Sequence, residues 1–268
     1  MTKQTATAKI SVNVSIGDFS PLLRGPEFLF RGIATTGAHG VELWVGIKSR
    51  WTINYYRRLS QKYNVPIVAL HQPLWAMTGV YFDEGFFRLG QSLGVQHITC
   101  HPLPGVALSS NRMHAYFSRL ASMQEKFGIP ILIENLPQQY RNGILHHFFP
   151  PASDSNDVLL LSETVSKYGL NLTLDTDHIN LAWPHEEPWF DAVLPHVKHM
   201  HLSSFGAKKR HMPLYLGDFG TNTYLSYLKK NRYCGTITLE IAWPRSITML
   251  AYDFEATRKS VSLVQQNH

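Results

Sequence analysis

The sequence predicts an α/β protein closed as a (β/α)8 TIM barrel, and three observations carry that expectation. Eight short apolar segments recur along the 268 residues, spaced so that a helix fits between each pair. Most of them follow a glycine where a helix would stop. Neither a GxGxxG turn nor a GxxxxGK motif ending in Ser or Thr is present, although an open doubly wound sheet that binds nucleotides would carry one.

KISVNVSI is the first strand. Gly40 precedes VELWV, and VPIVALH follows Asn64. Gly94, Gly128 and Gly169 precede VQHITC, IPILIEN and LNLTLD. VKHMHLSS follows Pro195 and His196, and Gly235 precedes TITLEI. Glycine at such a point predicts the left-handed residue that ends a helix. Between the fourth and fifth strands, Met113, Phe117, Leu120 and Ala121 share one apolar face behind the cap candidates Ser109 and Ser110. Thr221 is placed to cap a helix carrying Tyr224, Leu225 and Leu228, with Lys229, Lys230 and Arg232 at its negative end. Repeated strand-helix units require a parallel sheet, and eight of them close most economically as a barrel. One domain is expected over 1–268, with residues 1–8 as a flexible N-terminus and residues 137–157 as a long loop over the active site.

Composition narrows the class. With 44% hydrophobic and 12% aromatic residues the chain can fill a core and is not disordered. Cys100 and Cys234 lie outside any CxxC pattern, which points to a reducing compartment. MTKQTATAKI lacks the apolar stretch of a signal peptide, and runs such as DVLLLSE are too short to cross a bilayer, so a cytoplasmic location without membrane contact is expected. The net charge of +6 is spread along the chain rather than clustered. There is no GxSxG elbow, and strand phase turns Cys100 outward, which excludes nucleophilic hydrolase chemistry. The 14 histidines stand out against a charged fraction of only 16%.

Side chains two apart on a strand share a face, so the polar residues can be tested for phase. Glu240 lies with Thr238 and Thr236, opposite Ile237 and Leu239; Asp175 lies with Thr173, opposite Leu172 and Leu174. The same test separates Glu134 from Ile131 and Ile133, His201 from Met200, His101 from Cys100 and Ile98, and His71 from Val68 and Leu70. All six polar residues are at the C-terminal ends of their strands, where such barrels carry their chemistry. Carboxylates gathered in one cavity repel each other unless a cation is present, and Glu, Asp and His are ordinary ligands of a divalent metal.

The motifs ENLP, LDTDH, HMHLSS, HMPLYLGDFG and TLE occur in the order found in the xylose-isomerase-like TIM barrels, and from the second strand onward the chain resembles that family. The family includes sugar phosphate isomerases and epimerases and the endonuclease IV type of DNA repair enzyme. Resemblance to the epimerase branch implies one divalent ion (Mn, Mg, Co or Zn) held by Glu134, Asp175, His201 and Glu240. It also implies that Glu134 and Glu240 act as catalytic acid and base on a sugar or sugar phosphate, through an enediolate. His178 would bind a hydroxyl or a further metal ion, and Trp75, Lys209 and Arg210 would line the substrate site.

Resemblance to the endonuclease branch implies a zinc cluster on His71, His101, Glu134, Asp175, His178, His201, His211 and Glu240, with DNA as the partner. One ligand of that cluster departs here, because Lys209 stands where an aspartate is expected and an ammonium cannot donate to zinc. The epimerase pattern departs at PQQYRN after the first glutamate and at SSFG after His201. Lys48, Arg50, Trp51 and Trp75 would serve a DNA wedge or a sugar pocket, and Glu42 and Trp44 would line the pocket or, as the main reading, pack the barrel. The expectation is a metal-dependent sugar isomerase or epimerase. An abasic-site DNA phosphodiesterase and a non-catalytic metal- or sugar-binding barrel are the alternatives, and a homo-oligomer is compatible with all three.

Overall fold

The computed structural model describes residues 9–16, 26–45, 53–72, 84–103, 105–136, 157–180, 188–206, 209–216, 221–241 and 254–267. The strands are β1 (Lys9–Ile16), β2 (Gly40–Val45), β3 (Ile67–His71), β4 (His97–Cys100), β5 (Ile131–Glu134), β6 (Asn171–Asp175), β7 (Val197–Leu202), β8 (Ser204–Gly206), β9 (Lys209–Met212) and β10 (Thr236–Leu239). β1 to β7 and β10 form a closed parallel barrel in which neighbours follow chain order and β10 joins β7 to β1. These eight strands are the eight apolar segments of the sequence. The antiparallel hairpin β8–β9 was not expected; it pairs Ser204 with Met212 and Gly206 with Lys209.

Helices fill the intervals, and Asn111–Phe127 illustrates why. The Ser110 hydroxyl accepts the Met113 N–H at 3.2 Å, and Gly128, at φ 64°, donates its N–H to the Gln124 carbonyl at 2.9 Å. Between these caps Met113, Phe117 and Leu120 are fully buried against the barrel. Gly94 and Gly169 also have positive φ, as expected, but Gly40 and Gly235 do not. There the left-handed turns fall earlier, at Gly37 and Arg232. A Cβ on Gly40 would lie 2.6 Å from the Pro66 carbonyl, and one on Gly235 would lie 2.6 Å from that of Lys198, so both are small because neighbouring backbone passes close.

The main apolar core lies between the barrel and its helices, where Leu70, Ile98, Ile133, Leu174, Met200 and Leu239 face outward and are fully buried. Inside the barrel the filling is mainly polar, with Leu132 as an apolar member beside Thr99. Glu42, Thr99, Thr173, His199 and Thr238 are fully buried, and the Thr99 and Thr173 hydroxyls meet at 3.2 Å. A barrel of this kind is ordinarily packed with branched aliphatic residues. Among the described residues, no helix is long and apolar enough to cross a membrane.

Residues 1–8, Lys48, Arg50, Trp51, Trp75 and 137–156 lie outside the described residues. Asp157 caps helix Val158–Ser166 by accepting the Leu160 N–H at 3.0 Å. Replacing Gly128 with Ala puts a Cβ into open space but onto a left-handed backbone, so Gly128→Ala is expected to cost about 1–2 kcal/mol. Truncating the buried Phe117 to Ala is expected to cost about 3–5 kcal/mol. Urea unfolding of the two variants measures both.

Candidate metal centre

Glu134, at the end of β5, is the hub of the barrel mouth. Its Oε2 lies 3.0 Å from His71 Nε2 on β3 and 2.8 Å from His101 Nε2 just beyond β4. Its Oε1 lies 3.1 Å from His201 Nδ1 on β7 and 3.5 Å from His178 Nδ1. That same His201 Nδ1 is 3.1 Å from Glu240 Oε2 and 4.0 Å from Asp175 Oδ2. One ligating atom from each of Glu134, Asp175, His201 and Glu240 falls within 4.8 Å of the others. Glu134 and Asp175 are buried, whereas the Glu240 side chain is 29% exposed and opens the group toward solvent.

Local structure fixes these side chains. Asn135 accepts the Asp175 N–H at 2.7 Å and donates to the Asp175 carbonyl at 3.1 Å, clamping β5 to β6 where both bear carboxylates. Asp175 Oδ1 accepts the N–H groups of Asp177 and His178 at 2.7 and 3.1 Å, starting helix Thr176–Asn180 as an N-cap does. With Oδ1 so occupied, Oδ2 is the oxygen left for the cavity. Gln72 accepts the His101 N–H at 2.7 Å, and its carbonyl contacts His71 Nδ1 at 2.8 Å, which leaves His71 Nε2 facing Glu134. On β9, His211 has φ 49°, a conformation uncommon outside glycine. Asp177 holds it, accepting its N–H at 3.2 Å and lying 3.5 Å from its Nε2.

The electrostatics favour positive charge among these carboxylates. Burial raises the Asp175 carboxyl, and Glu240 and Glu134 push it further, to well above the usual range. Burial opposes ionisation of Glu134 as well, but His201 and His101 hold it well below that range. His201 and His211 do the same for Glu240 against its burial. Burial disfavours charge on His201, yet Glu42, Glu134 and Glu240 raise it well above an ordinary histidine. Its Nε2 lies 2.9 Å from Glu42 Oε2, so His201 meets carboxylates at both nitrogens. An imidazole can do that only as the imidazolium or with a metal ion at one nitrogen. Asp175 Oδ2 is buried without a hydrogen-bond partner, as an oxygen that serves an ion would be. The donor set therefore fits a divalent cation.

Two flanking groups extend the constellation: His71, His101 and Glu134 on one side, and Asp175, His178 and His211 on the other. Every expected ligand thus reaches the mouth. β9 carries Lys209 and Arg210 immediately before His211, and Trp75 lies outside the described residues. Cys100 faces the helices, where burial pushes its thiol well up, away from nucleophilic use. Glu42 is buried inside the barrel, as the packing expectation has it, and is in addition a partner of His201 at 2.9 Å. Asn135, Asp177 and Gln72 were not singled out, although they stand inside or beside the ENLP, LDTDH and IVALH segments. His97 and His199 share the inward phase of His101 and His201, the one sequence signal that marks them.

The sequence profile described as xylose isomerase-like TIM barrel matches residues 30–264. No curated protein sequence matches the chain. Among solved structures, a 3-keto-D-glucoside 4-epimerase from E. coli superposes with a TM-score of 0.69 at 11% identity, over 97% of this chain and 100% of that one. A D-allulose 3-epimerase from Methylomonas sp., in complex with D-allulose, gives 0.69 at 17% identity over 98% of each chain. An AP endonuclease, family 2, from Brucella melitensis gives 0.69 at 17% identity, over 97% of this chain and 99% of that one. At these identities the structures share the fold.

The raised His201 and Asp175 mean that protons compete with an ion for its donors. Divalent-metal affinity is expected to fall as pH drops below their raised values and to strengthen as they deprotonate, with net proton release on binding. Calorimetric titration in buffers of different ionisation enthalpy measures that release; uptake independent of pH would contradict the donor assignment.

Proposed function

Because the chain belongs to the xylose isomerase-like TIM barrel family, we propose that it is a divalent-metal-dependent isomerase or epimerase of a sugar or sugar phosphate. The observation that carries the reading is the group of Glu134, Asp175, His201 and Glu240, with Glu240 the member open to solvent. Three carboxylates and one imidazole suit Mn, Mg, Co or Zn. Bound there, an ion supplies Lewis acidity that stabilises negative charge on substrate oxygens.

The chain's own groups carry the protons. Glu240, held ionised and partly exposed, is suited to accept a carbon-bound proton from a sugar at the mouth. Glu134, on the opposite side of the sugar, would first take up a proton and then return it to carbon on that face, so that the pair interconverts epimers through an enediolate, each turnover leaving the proton on the other glutamate. His71 and His101 fix the Glu134 carboxylate, and Asp175 would bind rather than transfer protons. His178, part-buried beside Asn135, would donate to a substrate hydroxyl. Lys209 and Arg210 would offset the charge of a phosphorylated substrate, with Trp75 as pocket wall.

A second reading is favoured by one observation: the two flanking donor groups share Glu134 and Asp175 with the central one, as bridging carboxylates of a multi-ion phosphodiesterase would. An abasic-site DNA hydrolase with a zinc cluster would use them so. Lys209 counts against it, replacing a carboxylate donor with an ammonium.

Glu134→Gln and Glu240→Gln are expected to lower epimerisation of a responsive ketose or aldose by about 10²–10⁴-fold while circular dichroism is unchanged. A metal-loaded wild type inert toward a broad panel of ketoses, aldoses and their phosphates would reject the isomerase. Elemental analysis and an abasic oligonucleotide separate the second reading: cleavage by a multi-zinc protein supports it, and no cleavage removes it.

A further inference from the structure

Beneath the mouth, inside the barrel, a separate set of donors is enclosed. Glu42 on β2, His97 on β4 and His199 on β7 are 0%, 5% and 0% exposed. One ligating atom from each lies within 4.8 Å of the others. The His97 and His199 rings are 4.3 Å apart between centroids. Glu42, Ala69 and His97 are in register on β2, β3 and β4, so β3 contributes no more than a methyl group at this level.

Each of the three residues carries a buried polar atom without a hydrogen-bond partner: Glu42 Oε1, His97 Nε2 and His199 Nδ1. A hydrogen-bonded network would not leave one unpaired atom on every member, because each buried donor or acceptor left unmade is a cost. A carboxylate oxygen and imidazole nitrogens each hold a lone pair that a metal ion can take. Two imidazoles and one carboxylate are a common ligand set for zinc.

We propose that Glu42, His97 and His199 form an interior divalent-metal site of the zinc class, separate from the ion of the mouth. The ion ties β2, β4 and β7 together across the polar interior. It also holds Glu42, whose Oε2 lies 3.3 Å from His199 Nε2 and 2.9 Å from His201 Nε2. Glu42 thereby links the two levels: anchored below, it engages His201 Nε2 and leaves His201 Nδ1 to face Glu134, Asp175 and Glu240. Such carboxylate–imidazole pairs orient metal-binding histidines.

The test is an anomalous difference map at the zinc edge from crystals of the zinc-loaded wild type, with elemental analysis of the same protein. A peak among Glu42, His97 and His199 is expected. His97→Gln should lose that peak and about one zinc per chain, whereas Glu240→Gln should keep it. Zinc at the mouth with none in the interior overturns the inference and leaves the proposed function standing; zinc at neither level also overturns the inference, while the proposed function, which admits Mn, Mg or Co at the mouth, is decided by its own epimerisation assay. Should His97→Gln fail to fold, the wild-type map decides alone.

Discussion

Charge compensation is the constraint on which this barrel depends. Glu42, Glu134 and Asp175 are fully buried, and Glu240 stands at the edge of the same cavity. Isolated carboxylates in that setting would be driven neutral. They are instead interleaved with imidazoles: His71, His101 and His201 around Glu134, and His199 and His201 beside Glu42. His201 is the common element, because it touches Glu42 with one nitrogen and the mouth carboxylates with the other. Whatever occupies its Nδ1, proton or metal ion, sets the charge balance of the cavity.

The scaffold makes this arrangement possible by filling the barrel interior mainly with polar residues where branched aliphatic ones are usual. Its strands bury their aliphatic side chains against the helices, so the main core is outside the barrel wall. That leaves the interior free for threonines, histidines and carboxylates. Short side-chain to backbone bonds then fix their directions: Asn135 spans β5 and β6, Gln72 holds the His101 backbone, and Asp175 caps the helix that carries His178. The Asp175 cap consumes Oδ1 and leaves Oδ2 pointing at the cavity. The supports of the site come from backbone groups that the sheet has already positioned.

The barrel was legible in the sequence because strand, helix and stop signals are local. Eight apolar segments gave eight strands, and phase within each strand separated Asp175 from Leu174 and His201 from Met200 correctly. Local rules failed where distant backbone decided. Gly40 and Gly235 resemble helix stops, but each is small because of Pro66 and Lys198 across the sheet. The β8–β9 hairpin gives no strong alternation, and its pairing brings His211 to Asp177.

The sequence by itself determined the periodicity, the inward phase of the ligand-type residues and their location at strand ends, since alternation along a strand is fixed by backbone geometry. Tertiary structure decided which of them meet. Glu42 and His201 are 159 positions apart and touch only because the barrel closes; nothing near Glu42 in the chain distinguishes it from a packing residue. The grouping of donors into mouth and interior levels likewise depends on register between strands, a long-range property that no single segment encodes.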